Sequence, residues 1–175
     1  MAGSVIEIQK VTVSSAVSGV TLTGIDTTYD VYKLVINNLT PSTINADVYL
    51  QVTEGGSVST DSDYDYAAKL FRTDTTFGNL TNRNSAYWPL SGSLNNTVGK
   101  GFQNITYIFN AYDSSQYTMV TIDSNYLAED GSTLLGYVGG GTYTQNTSVN
   151  GVHIKCEAPT SNIASGTFTL YGLKK

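Results

Sequence analysis

Apolar and polar side chains alternate along most of this chain with a period of two. Residues 4–13 set Val5, Glu7, Gln9 and Val11 on one face and Ile6, Ile8 and Lys10 on the other. Residues 30–37 set Tyr32, Leu34 and Ile36 against Val31, Lys33 and Val35, and residues 46–53 gather Val48, Leu50 and Val52 on one side. Near the end, residues 166–171 oppose Phe168 and Leu170 to Thr167, Thr169 and Tyr171. Successive side chains of a strand point to opposite faces, so the pattern predicts half-buried β-strands. Further strand-like runs fall at 20–22, 64–71, 86–88, 103–110, 117–122, 134–138 and 149–155. Between runs stand turn-forming clusters such as Asn37-Asn38, Pro41-Ser42 and Glu54-Gly55-Gly56. Residues 64–71, with Ala67, Ala68 and Leu70, also read as a short helix, and 126–129 as a helical turn.

About ten short strands can enclose a core only as two packed sheets or as a barrel. The expected fold is all-β: a jelly-roll-like antiparallel β-sandwich forming one domain over residues 1–175. No charge block, Pro-rich linker or short repeat marks an internal boundary. Two segments, 72–87 and 123–133, are too long for hairpin turns and are expected to be long loops, where compact domains often make contacts.

Composition supports the class and narrows the function. The chain has 24 Thr and 13 Tyr but only 4 Glu. Thr and Tyr suit a pleated, half-buried surface, whereas a shortage of Glu removes a common builder of surface helices. One His and one Cys cannot supply the roughly four N/S ligands of a conventional zinc site, and one Cys closes no internal disulfide. No cofactor is expected. A net charge of −5 with two Arg argues against a nucleic-acid surface, which needs clustered Lys and Arg. No run approaches the roughly 18 apolar residues of a membrane span. The first ten residues lack the basic-then-apolar order of a signal peptide, so synthesis in a reducing cytoplasm is expected.

Three stretches carry a family resemblance: GIDTTYDVYKLVINNLTPST (24–43), ADVYLQVTEGGS (46–57) and SGTFTLYGLKK (165–175). They resemble a family of small tailed-phage virion structural proteins, common in marine and cyanobacterial phages and occurring alone or as terminal modules of tail fibres. The family's Asp-x-x-Tyr-Asp-x-Tyr pattern is matched by Asp26, Tyr29, Asp30 and Tyr32. The resemblance runs over roughly the first 57 and the last 25 residues, while residues 91–120 follow the family only loosely. It implies a virion location after synthesis in the host cytoplasm, and it carries no catalytic residues. It implies a non-enzymatic exterior component, either head decoration, head fibre or tail-associated fibre subunit, whose partners are other virion proteins. A symmetric homo-oligomer, for example a trimer, suits such appendages. The alternative is a carbohydrate-binding or receptor-binding module of a fibre tip, with a host surface glycan as partner.

Read for themselves, the family-pattern residues are structural. Asp26, Thr27 and Thr28 suit a side-chain-capped turn, with Tyr29 and Tyr32 packing at the sheet edge and their hydroxyls reaching backbone.

The remaining candidates are weighed on chemistry. Asp61, Asp63 and Asp65 stand at alternate positions and could line one loop edge for a hard cation. The EF-hand spacing fails, because Tyr66 and Arg72 stand where Gly and Glu are required. The simpler reading is a solvated acidic turn. His153 and Cys156, three apart on one strand, point to opposite faces and make no nucleophilic pair. Gly139-Gly140-Gly141 lacks the Lys-Ser/Thr of a phosphate loop and reads as a flexible turn. Tyrosine offers a large contact area at low rotamer cost. Tyr87 and Trp88, with Arg72 and Arg83 from the segment 72–83, are therefore the candidate contact region for a neighbouring subunit or a glycan.

Overall fold

The structure is a computed structural model and describes residues 4–74, 77–157 and 161–173. Among these residues the chain forms thirteen strands and no helix. They are β1 (Val5–Val13), β2 (Gly19–Thr23), β3 (Val31–Pro41), β4 (Asp47–Glu54), β5 (Ser57–Val58), β6 (Tyr64–Arg72) and β7 (Gly78–Ser85). There follow β8 (Trp88–Pro89), β9 (Phe102–Phe109), β10 (Thr118–Leu127), β11 (Leu134–Tyr143), β12 (Val149–Glu157) and β13 (Ile163–Leu173).

Two antiparallel sheets result. The larger has eight strands in the order β1-β13-β3-β9-β10-β11-β6-β7. The smaller runs β2-β12-β4-β5, and β8 shares the β4 edge. Setting aside β5, the β6–β7 hairpin and the β10–β11 hairpin leaves β1-β13-β3-β9 facing β2-β12-β4-β8. Consecutive strands β1/β2, β3/β4, β8/β9 and β12/β13 then lie in opposite sheets, which is the double Greek-key winding of a jelly roll. The two inserted hairpins meet side by side, β11 against β6, and widen one sheet from four strands to eight.

The alternation seen in the sequence defines the core. Tyr32, Leu34 and Ile36 of β3, Phe168 and Leu170 of β13, and Val48, Leu50 and Val52 of β4 are all buried in one cluster. The tyrosines in that cluster keep their hydroxyls satisfied. Tyr64 Oη donates to Ser59 O (2.9 Å) and accepts from Val52 N (3.1 Å). Tyr32 Oη donates to Asp26 O (2.8 Å) and accepts from Asp26 N (2.9 Å), while Asp26 Oδ1 caps Thr28 N at 2.7 Å. The turn expected around Asp26 is present, and its tyrosine locks it to the sheet.

Several expectations are corrected. Segment 72–87 is no long loop: β6 turns back into β7, and the pair is hydrogen-bonded from Tyr64 with Ser85 to Leu70 with Gly78. Thr75 and Thr76, part of that segment, lie outside the described residues. Segment 123–133 begins as the end of β10, up to Leu127, and Ala128–Thr133 forms the turn, closed by Ala128 N to Thr133 O at 2.9 Å. Residues 64–71 are strand and not helix, because the partners β11 and β7 take up their backbone groups. The same pairing overrides the helical turn at 126, where Tyr126 stays in register with Leu135.

Gly139–Gly141 is strand interior. It reads as a turn only if the neighbours are ignored: a Cβ on Gly141 would collide with the Trp88 indole, so the glycine makes room for the largest core side chain. In β1 a bulge between Glu7 and Gln9 breaks the simple alternation. Val5 and Glu7 face outward, while Gln9 and Val11 turn toward the core face beside Leu170 and Phe168.

Candidate functional site

Of the four residues expected to form one contact region, Arg83 and Trp88 both reach Asp65 and Tyr87 precedes Trp88, whereas Arg72 is held apart, and the four differ in exposure. Trp88 is fully buried. Its Nε1 donates to Asp65 O at 3.2 Å and its ring meets Tyr64 edge-on, centroids 5.0 Å apart. It cannot be a contact platform, because the β6–β11 wall covers it. Tyr87 is half-buried, stacked on Tyr49 at 3.7 Å. With Gln51 Nε2 donating to Ala86 O (3.0 Å), this stretch folds over the outer side of β4, so that strand is buried on both faces. Arg72 makes a two-pronged ion pair with Asp74, 2.6 and 2.7 Å, at the far end of β6. Arg83 projects from edge strand β7 and approaches Asp65 at 3.5 Å. Arg72 and Asp65 are seven residues apart along one strand, on the order of 23 Å.

The three aspartates also part. Asp61 is exposed, Asp63 accepts from Gln145 Nε2 (2.8 Å), and Asp65 accepts from Asn84 N (2.9 Å). Among the described residues no group of three His, Cys, Asp or Glu is placed to hold a metal ion. His153 and Cys156 face opposite ways. The imidazole Nδ1 lies 2.8 Å from Thr21 Oγ1 on the outer face, whereas Cys156 is in the core, where burial pushes its thiol up to about 12.

Two surface features remain. The first is a cleft of about 470 Å³ at one end of the sandwich. It is walled by the turn before β3 (Asp26, Tyr29), the β9–β10 connection (Asn110, Tyr112, Asp113) and Ser148. Hydrogen bonds from Thr28 and Ser115 hold the Asp26 and Asp113 carboxyls below their ordinary range, so the cleft stays anionic, with the exposed Tyr112 at its lip.

The second is the solvent face of the eight-stranded sheet. Ile105, Met119 and Val138, on the adjacent strands β9, β10 and β11, are 39%, 49% and 50% exposed. Asp123 pairs with Ile105 on one side and Val138 on the other. Between Ile105, Tyr107, Thr121 and Val138 runs a shallow trough of about 480 Å³. Lys33 Nζ lies 5.7 Å from the Tyr107 ring centre, partly roofing it. This strip is not among the contacts expected from the sequence. The available signal was apolar residues, Ile105 and Val138, in the outward phase of strands whose inward phase was already filled.

No family model matches the chain, and no curated protein matches it. A solved structure, the CBM2 module of the evolved Dit of Lactobacillus casei BL23 phage J-1, is similar over 90% of this chain and 69% of that one. Identity is 9% and the TM-score 0.26, and at that level the likeness bears on neither fold nor function. The strand winding itself defines the class: a jelly-roll sandwich with one widened sheet, an end cleft and an apolar outer face.

Proposed function

We propose that this chain is a non-enzymatic structural protein of a bacteriophage exterior, serving as head decoration, head fibre or tail-associated fibre subunit, and that it works by docking. The carrying observation is the strip of Ile105, Met119 and Val138 on the solvent face of the large sheet. Exposed apolar side chains around a shallow trough mark interaction surfaces; here Ile105 and Val138 flank Asp123, and Met119 stands two rows further along β10. The stretches 24–43, 46–57 and 165–175, which resemble phage virion proteins, lend the reading its setting, and many docked copies would add avidity. Immunogold labelling of intact particles of the phage that encodes it tests the reading. Label on heads or on tails is expected, and its site separates decoration from fibre. Unlabelled particles, or a purified chain that hydrolyses a polysaccharide until two of its aspartates are neutralised, would overturn it.

A second reading is a glycan-binding or receptor-binding module of a fibre tip. The end cleft favours it, because it combines the exposed Tyr112 ring with Asp26 and Asp113 carboxylates able to accept from sugar hydroxyls. A glycan array giving hits that vanish in Tyr112→Ala supports it, and an array without hits counts against it.

A further inference from the structure

On the outer face of the eight-stranded sheet one registered row crosses all eight strands, from Glu7 (β1) to Thr81 (β7), and its inner six positions form a pattern. It reads Tyr171 (β13), Lys33 (β3), Tyr107 (β9), Thr121 (β10), Gly140 (β11) and Ala67 (β6). Three bulky side chains are followed by three small ones. The change falls between β9 and β10, which is also the centre of the sheet, with four strands on each side. A two-fold axis lying along the strands over that line sets every large residue on a small one: Tyr107 on Thr121, Lys33 on Gly140 and Tyr171 on Ala67 of the second copy. In the neighbouring row it sets Val35 on Val138 and Ile105 on Asp123, and it carries the Lys33 ammonium toward that Asp123 carboxylate of the second copy. Shape and charge are self-complementary under a single operation, which is the requirement of an isologous contact.

Size agrees. Eight strands at about 4.8 Å spacing and roughly eight residues of height at about 3.3 Å give a face of about 1,000 Å², enough for the roughly 800 Å² per partner of a standard stable interface. The roofing of Tyr107 by Lys33 leaves that ring poorly placed to stack on a sugar.

We propose that this face is a homotypic interface whose occupant is a second copy of the chain, packed sheet on sheet about a two-fold axis. The proposal rests on the docking role given above and names the partner of that surface. Gly140 is a poor place to probe it, since a Cβ there would lie 2.7 Å from Val120 O within the same chain. The hollow is better filled from the solvent side, at Thr121 and Ala67.

The test is multi-angle light scattering at tens of micromolar. The parent chain is expected at twice its 18.7 kDa. Thr121→Tyr and Ala67→Tyr, good strand residues at outward positions, are expected at the single-chain mass with unchanged circular dichroism. Lys33→Asp and Asp123→Lys are each expected to weaken pairing roughly tenfold, and the double exchange to restore it. A parent of single-chain or three-chain mass overturns the proposal, and so does a dimer untouched by both filled variants. The docking role and the pairing fail separately. A single-chain parent that still labels particles defeats the pairing alone, whereas a dimer on unlabelled particles defeats the virion reading alone.

Discussion

Trp88 is the side chain on which most local geometry converges. It lies under Gly141, against Tyr64, with its indole N–H spent on Asp65 O. Removing so large a buried ring leaves a cavity, and losses of about 3–5 kcal/mol are usual. Trp88→Ala is therefore expected to lower the guanidinium midpoint sharply, and Trp88→Phe much less. An Ala variant as stable as the parent would mean that the ring is not in the core. Cys156 is buried with its thiol pushed up to about 12. Native protein at mildly alkaline pH should resist iodoacetamide and react only once unfolded; stoichiometric native labelling, read by mass spectrometry, would contradict its burial. His153 behaves in the opposite sense. Burial, with Lys155 adding, holds its imidazole below the ordinary value. The unfolded chain then takes up the proton more readily, so the stability is complete above the unfolded value near 6.5 and declines as pH falls through it. The parent should lose melting temperature between about pH 7.5 and 5.5, and His153→Gln should lose less. Equal slopes would clear the histidine of responsibility.

Strands differ in how openly the sequence announced them. In β3 and β13 one face is core and the other solvent, so the period of two is written plainly, and Tyr32, Leu34, Ile36, Phe168 and Leu170 are all buried as it implies. The edge strand β7, with Asn79, Thr81, Asn82, Arg83 and Asn84, has almost no apolar phase. Its order comes from backbone pairing with β6, which leaves no trace in hydropathy, so its sequence reads as loop. The glycines of β11 misled for a related reason: the cause of Gly141 is an indole more than fifty positions away in sequence. The site was less legible than the fold. Tyr87 and Trp88 are neighbours in sequence, yet one folds over β4 and the other fills the core, and only the path of the chain separates them. Strand position also sets local stability. Amides of β7, paired on one side only, should exchange with solvent before those of β3 and β9, which are flanked on both sides. Hydrogen-exchange mass spectrometry reporting β7 as slow as β9 would contradict an edge position.

At the scale of the molecule, the winding brings the first and last strands together. Val5 pairs with Leu173, and β1 lies antiparallel to β13 along its whole length. This contact spans nearly the entire sequence, and such non-local pairing is slow to form because loop closure must precede it. The same adjacency makes the ends joinable. A short linker between them would turn the most distant strand pair into a simple hairpin. New ends can be opened in the β8–β9 connection at Val98 and Gly99, where Val98 is 88% exposed. The local backbone bond there is the single turn from Lys100 N to Thr97 O. Such a permutant is expected to melt within a few degrees of the parent and to refold faster, since its β1–β13 contact has become local. By contrast, a chain ending at Glu157 loses β13 and with it the partner of both β1 and β3, so it should show no cooperative transition. Stopped-flow refolding and thermal melts of the two variants decide the matter. A permutant that fails to fold, beside a truncated chain that folds well, would mean that the ends do not meet in the sheet and that the jelly-roll winding is wrong.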